Sequence, residues 1–389
     1  VCSSDLRFGR PAVSINGILL MKTPKTLASR LFAALSLILL PQCASSGPQV
    51  QKNYFQAVEI ARAGTKELAV EAFQSACSHN SAAACHRLGK RVEIGEGVPI
   101  LQGATDETSA EVILLLGPKQ EVQVFLWDTN TEELKEAKVS TPTELPQGLG
   151  RVVQFRFDSL TLGTVYQLQV VGPAGDLIDA RQLQTLEVTK KSGTFAVASG
   201  LDDQNLLQKT IWPEVLSYEP EVLFLLGGAG FVASPTTAPS VATNVDELWK
   251  RYTQNRRTVS LYRQNKLIPI YATWGEADYG QRSGDRNYRF KLEAKKIFNT
   301  FFGGADLPGV VDHGPGVSSR LNAFGLRFFL LDSRSFRTPS SEKTGQTHFG
   351  VDQEAWLFTE LFGDVPSFLL SADPFFGGYH AFDSYEGKH

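Results

Sequence analysis

From Lys190 onward, short apolar runs alternate with helix-like segments, and each run ends in a loop of Gly, Asp, Ser or Trp. That alternation restricts the second half of the chain, residues 190–389, to an α/β core. The runs cover residues 194–199, 222–226, 268–273, 326–331 and 368–371; helices are expected over 206–217, interrupted near Pro213, and within 245–266. In an open α/β sheet the loops at the carboxyl ends of the strands gather on one edge, where ligands bind. Functional residues are therefore sought in these loops.

Residues 105–189 have a different texture. Runs at 111–115, 122–126, 152–157, 165–170 and 182–186 are rich in β-branched and aromatic residues, separated by turn-formers such as Gly163 and Pro173-Ala174-Gly175. Several alternate polar with apolar, which predicts a β-sandwich. Ser159-Leu160-Thr161-Leu162-Gly163-Thr164-Val165-Tyr166 resembles the tyrosine-bearing corner of fibronectin type III-like domains. Further upstream, in 50–97, Tyr54, Phe55, Val58, Ala61, Leu68, Val70 and Phe73 recur at helical spacing and predict a short α-helical hairpin. The stretch from Ala72 to Gly89, with its Cys-Ser-His-Asn-Ser turn, resembles one unit of the SEL-type repeats of cysteine-rich bacterial proteins. That resemblance makes Cys77 and Cys85 candidates for a disulfide, the alternative being two buried thiols. A zinc site from Cys77, His79, Cys85 and His86 matches no familiar ligand spacing. A single repeat cannot bury its own core, so this segment is expected to pack on its neighbour or to contact a protein partner.

The chain of 389 residues carries a net charge of -3 and no basic run, which argues against a nucleic-acid partner. Met21, the only methionine, is followed by Lys22, Lys25 and Arg30, an apolar run over 31–40, and Cys43. This is the layout of an export signal, with an apolar run too short to span a bilayer. Leu40-Pro41-Gln42-Cys43 resembles a bacterial lipoprotein box. A signal peptide over 21–43, a membrane anchor through lipidated Cys43, and a periplasmic or outer-membrane and cell-surface location are the expectations. The alternative is simple cleavage near Ala44-Ser45-Ser46. Residues 1–20 are read as a non-native leader, and the C-terminal end as truncated.

The loops of the α/β half carry five motifs in order. They are Ser199-Gly200; Leu226-Gly227-Gly228-Ala229-Gly230-Phe231; Thr273-Trp274-Gly275-Glu276-Ala277-Asp278-Tyr279-Gly280; Leu331-Asp332-Ser333-Arg334-Ser335-Phe336-Arg337; and Gly350-Val351-Asp352-Gln353-Glu354-Ala355-Trp356-Leu357. In this order they resemble PhoD-like alkaline phosphatases and phosphodiesterases of the calcineurin-like metallophosphatase superfamily. The resemblance implies a layered α/β/β/α core behind a fibronectin type III-like sandwich, and phosphoester hydrolysis by metals such as Fe and Ca.

The side chains that would do this chemistry are missing. A dinuclear hydrolase needs carboxylate, imidazole or thiolate donors to generate hydroxide and neutralise the phosphoryl oxygens. Where the family places a metal-binding Cys, this chain has Gly200; the bridging Asp is Gly228, a hydroxyl position is Phe231, and the Asp-Asp-His of the third motif is Gly275, Glu276 and Ala277. The resemblance thus implies a catalytically inactive, exported binding or structural module, with no cofactor. The alternative is an active metal-dependent phosphoesterase rebuilt on Glu276, Asp278 and His380, with Asp202 as a further donor. A substrate pocket would draw on Asp278, Asp332, Arg334 and His380. Asp332 and Arg334 are expected to form an ion pair closing a strand, Asp202 and Asp203 a solvated helix start, and His313 and His348 to lie at the surface.

Overall fold

The computed structural model describes residues 13–15, 18–22, 48–201, 203, 207–228, 244–304, 307, 309–342, 344–376 and 385. Cys43, Asp202, Phe231 and His380 lie outside them. A hairpin of β1 (Val13–Ile15) and β2 (Ile18–Lys22) comes first, within and just beyond the segment expected to be a leader.

Three helices follow, α1 (Pro48–Arg62), α2 (Lys66–Ser78) and α3 (Ala82–Arg87). Ser81 caps α3 by accepting the Ala84 N–H at 3.2 Å, so the chain reverses between α2 and α3 and Cys77 is disulfide-bonded to Cys85. The bridge closes a loop eight residues apart in sequence, and the Cys77→Ser/Cys85→Ser variant is expected to lose about 2–3 kcal/mol in chemical denaturation.

Next come β3 (Ile100–Thr105), β4 (Ala110–Leu116), β5 (Gln123–Asp128), β6 (Leu134–Lys135), β7 (Ala137–Val139), β8 (Thr143–Glu144), β9 (Arg151–Phe157), β10 (Val165–Val171) and β11 (Leu177–Gln184). They form two antiparallel sheets, ordered β11-β10-β5-β6 and β3-β4-β9-β7, with β8 also on β9. Alternate residues of both sheets, among them Val112, Leu114, Phe155, Tyr166 and Leu168, meet in one core. Tyr166 is fully buried, and its hydroxyl accepts the Thr161 N–H at 2.7 Å, pinning the loop that enters β10. The opposite face of β5 and β10 is covered by the helices. Phe73 meets Trp127 edge to face at 5.1 Å, and the Tyr54 hydroxyl donates to Gln169 Oε1 at 3.2 Å. The helical segment therefore uses its inner face to bury strand residues.

The remaining elements are β12 (Thr194–Ala198), α4 (Gln208–Ser217), β13 (Val222–Leu226), α5 (Val245–Thr258), β14 (Ile270–Thr273), the short α6 (Glu276–Tyr279), α7 (Lys291–Phe302), β15 (Val311–His313), β16 (Ser319–Ala323), β17 (Leu326–Leu331), α8 (Val351–Glu360) and β18 (Ser367–Ser371). Helix α4 runs unbroken through Pro213, contrary to expectation: Trp212 and Val215 on either side are buried in the core, and that packing holds the turn. Strands β12, β13 and β14 are parallel, with the β1–β2 hairpin added antiparallel at the β12 edge. A second sheet, β15-β16-β17-β18, has β17 parallel to β18.

One face of the first sheet packs Ala196, Leu223 and Leu225 against Trp212, Leu248 and Tyr252 of the helices. Its other face packs Phe195, Phe224 and Tyr271 against Phe328 and Leu330 of the second sheet, with Phe224 stacked on Phe328 at 4.7 Å. Phe329 and Leu331 face Leu357 and Trp356 of α8. The protein is thus a mixed α/β molecule built on several sheets.

At the seam between the two-sheet unit and the α/β part lies Glu111, 5% exposed. Burial pushes its carboxyl up to about 7, against opposing effects of the Ala104 N–H and the Arg156 charge. A carboxyl raised in the folded state favours folding while protonated, and that advantage is lost as pH rises from its unfolded value through the folded one. Stability is expected to fall by about 3 kcal/mol between pH 4.5 and 8 through this group, a slope that Glu111→Gln removes in denaturation series across that range.

Candidate functional site

The carboxyl ends of β12, β13, β14, β17 and β18 converge. The Thr273 hydroxyl donates to Leu331 O at 2.8 Å, joining the end of β14 to the end of β17. Gly200 N–H donates to Gly227 O at 3.2 Å, and Gly227 N–H to Thr273 O at 2.9 Å, joining the loops of the first sheet.

At the centre of these loops is a carboxylate. Asp278, 1% exposed, accepts the Gly228 N–H at 2.7 Å and the Gly275 N–H at 3.0 Å on the same oxygen, Oδ2. Its backbone carbonyl accepts the Tyr252 hydroxyl at 3.1 Å. Asp278 is a strut between the ends of β13 and β14. The loops beside it are closed backbone to backbone: a Cβ on Gly228 would lie 2.6 Å from both Cα and N of Gly200. Gly228 also has φ +100°, where an L side chain is strained. Gly200 and Gly228 thus approach each other backbone to backbone. At Gly275, a Cβ would be in ordinary contact with Ala372 at 3.5 Å. Ala277 is buried, and the Glu276 carboxylate turns away to accept the Ser283 N–H at 2.9 Å.

Asp332 is a second strut. Fully buried at the end of β17, it accepts the Trp274 indole N–H at 2.6 Å and the Arg334 and Ser335 N–H groups at 2.9 Å on Oδ1, and the Val317 N–H at 3.1 Å on Oδ2. Gln353 of α8 brackets its backbone, accepting from Asp332 N–H at 2.8 Å and donating to Asp332 O at 2.7 Å. Both carboxylates proposed for a substrate pocket thus accept N–H groups of the protein itself, Asp278 on Oδ2 and Asp332 on both oxygens.

The Arg334 guanidinium does not pair with Asp332. It forms an ion pair with Asp373, beyond β18, which Arg337 joins at 2.9 Å; His348 Nε2 lies 3.1 Å from the same carboxylate. All four are at least nine-tenths buried. Burial holds the His348 imidazole below its usual value despite Asp373, so it is neutral at pH 7. For Asp373, burial opposes ionisation, but the His348 contact and the two guanidinium charges outweigh it and hold the carboxyl below its usual value. Two cations share one buried anion. His348 is buried where the surface was expected, with the Phe349 and Tyr385 rings against it; His313 is exposed. Asp203 is also buried, not solvated, and pairs with Arg251 at 2.9 Å.

Among the described residues, those at this edge do not fit a dinuclear metal centre. The N–H groups that converge on this edge suit an anion, which Asp278 already supplies, and among the described residues no three His, Cys, Asp or Glu side chains are grouped to hold a cation. Also among the described residues, no helix is long and apolar enough to cross a membrane. No family model matches the sequence, and comparison with curated proteins gives no match.

Proposed function

We infer that this chain is a catalytically silent relative of the PhoD-like metallophosphatases, exported, tethered through a lipid on Cys43, and kept as a binding or structural module. The observation that carries this reading is the closure of the loop edge. Gly228 and Gly275 turn their N–H groups onto Asp278, and Gly228 packs against the Gly200 backbone, where the resemblance calls for metal ligands. The order of the five motifs supports the family, as do the two facing sheets flanked by helices and the preceding two-sheet unit with its Tyr166 corner. Uncatalysed phosphoester hydrolysis is slow enough that enzymes lower its barrier by on the order of 20 kcal/mol, a task that falls largely on the metals. Without their ligands the fold retains shape and little catalytic power. The outer surface of the helical segment is the part of the reading assigned to a protein partner.

The test is thermal unfolding after dialysis against EDTA and after addition of Mn2+, Ca2+, Fe3+ or Zn2+. The melting temperature is expected to stay within about 1 °C in all conditions, since a ligand that does not bind the native state cannot stabilise it. A metal-dependent rise of several degrees, lost in Asp278→Asn, would favour a rebuilt metal site instead.

A further inference from the structure

A cavity of about 150 Å3 lies at the seam where β3 and β4 meet α7, β14 and β15, and one part of its wall, Gly316 and Val317, backs onto Asp332. Glu111 forms part of its wall, and Glu111 Oε2 is buried with no hydrogen-bond partner. An unpartnered carboxyl oxygen in such a place costs free energy that a bound donor would recover. The surroundings keep the carboxyl accessible to a small group: Gly303, which lines the cavity at φ +80°, has no Cβ, and one placed there would sit 2.3 Å from Oε2. Gly303 is also the C-cap of α7, so the negative end of that helix adds to the carboxyl and favours a cation.

A second charged residue lines the same cavity and also the neighbouring one beside Phe336 and Gly350. It is Lys295, two turns before Gly303 on α7, which makes no ion pair among the described residues. The other charged or titratable groups around Glu111 are accounted for. Arg156 of β9 is paired with Asp158, Tyr271 of β14 spends its hydroxyl on Thr105, and His313 of β15 stands at the exposed rim. The cavity therefore offers one acceptor for an ammonium and one cation for a carboxylate, in a volume suited to a few heavy atoms.

We propose that this seam binds a compact zwitterion of the α-amino acid class, its ammonium held by Glu111 and its carboxylate by Lys295. The proposal rests on Glu111 and Lys295 and not on the silent-phosphatase reading. Isothermal titration of the full chain at pH 8 with glycine, L-alanine, ethylamine and acetate tests it, alongside the ligand-induced rise in melting temperature. Glycine or alanine is expected to bind saturably and at least tenfold more tightly than ethylamine or acetate. Glu111→Gln, which removes the charge without removing the shape, is expected to weaken amino-acid binding at least tenfold while the protein stays folded. Lys295→Met is expected to abolish the preference for glycine over ethylamine. Absence of saturable binding by the wild type, equal binding by Glu111→Gln, or a glycine preference that survives Lys295→Met would overturn the proposal.

Discussion

Gly228→Asp, which returns a carboxylate to the position where a bridging ligand belongs by family resemblance, is expected to destabilise the protein by about 3–5 kcal/mol and to recruit no metal. Two costs add. The residue sits at φ +100°, and its Cβ would arrive 2.6 Å from the Gly200 backbone, which cannot rotate away as a side chain could. The Gly228 N–H that now binds Asp278 would also be displaced with the loop. Gly228→Ala is expected to lose most of the same amount, because the cost lies in the Cβ and not in the charge. Urea denaturation of both variants reads the effect. Stability near wild type for Gly228→Asp, accompanied by bound metal, would mean that the loops of β12 and β13 part readily.

Asp373→Ala is the second large effect, with an expected loss of about 3–5 kcal/mol, because Arg334 and Arg337 would remain buried without the carboxylate they share. The same group gives an acid limb. Its carboxyl is held below the usual value, so its contribution is full above the unfolded value near 3.8 and is lost as pH falls through the lower folded value. Acid denaturation followed by tryptophan fluorescence should show a transition below pH 4 that the variant lacks.

These residues also mark what could be read from the sequence. The runs that form β12, β13, β14, β17 and β18, and those of β4, β5, β9, β10 and β11, were legible because their apolar residues keep a simple period or an unbroken run, whereas the short β15 and β16 were not read. Strand β3 was not read. Its Ile-Leu-Gln-Gly-Ala-Thr has neither pattern, since Ile100 faces the core of the two sheets, Leu101 faces the α/β core, and the Gln102 backbone bridges to Pro269. Tertiary contact on both sides supplies what local propensity lacks.

At the site, the sequence identified which loops meet. Asp278, Asp332 and Arg334 were found as residues but not in their roles, because those roles depend on backbone N–H groups brought in from other strands. Asp373 could be placed near the loops from the sequence, but its pairing could not: its Arg334 and Arg337 partners are 39 and 36 residues away. The closure between Gly200 and Gly228 depends on a positive φ and an inter-loop distance, neither of which a residue name specifies beyond permitting glycine.

The central claim is tested most directly by metal analysis of the purified full chain together with hydrolysis of bis-p-nitrophenyl phosphate. Catalytic silence predicts substoichiometric metal and no hydrolysis above that of a Gly228→Asp control preparation. Stoichiometric divalent or trivalent metal with turnover abolished by chelator would contradict it.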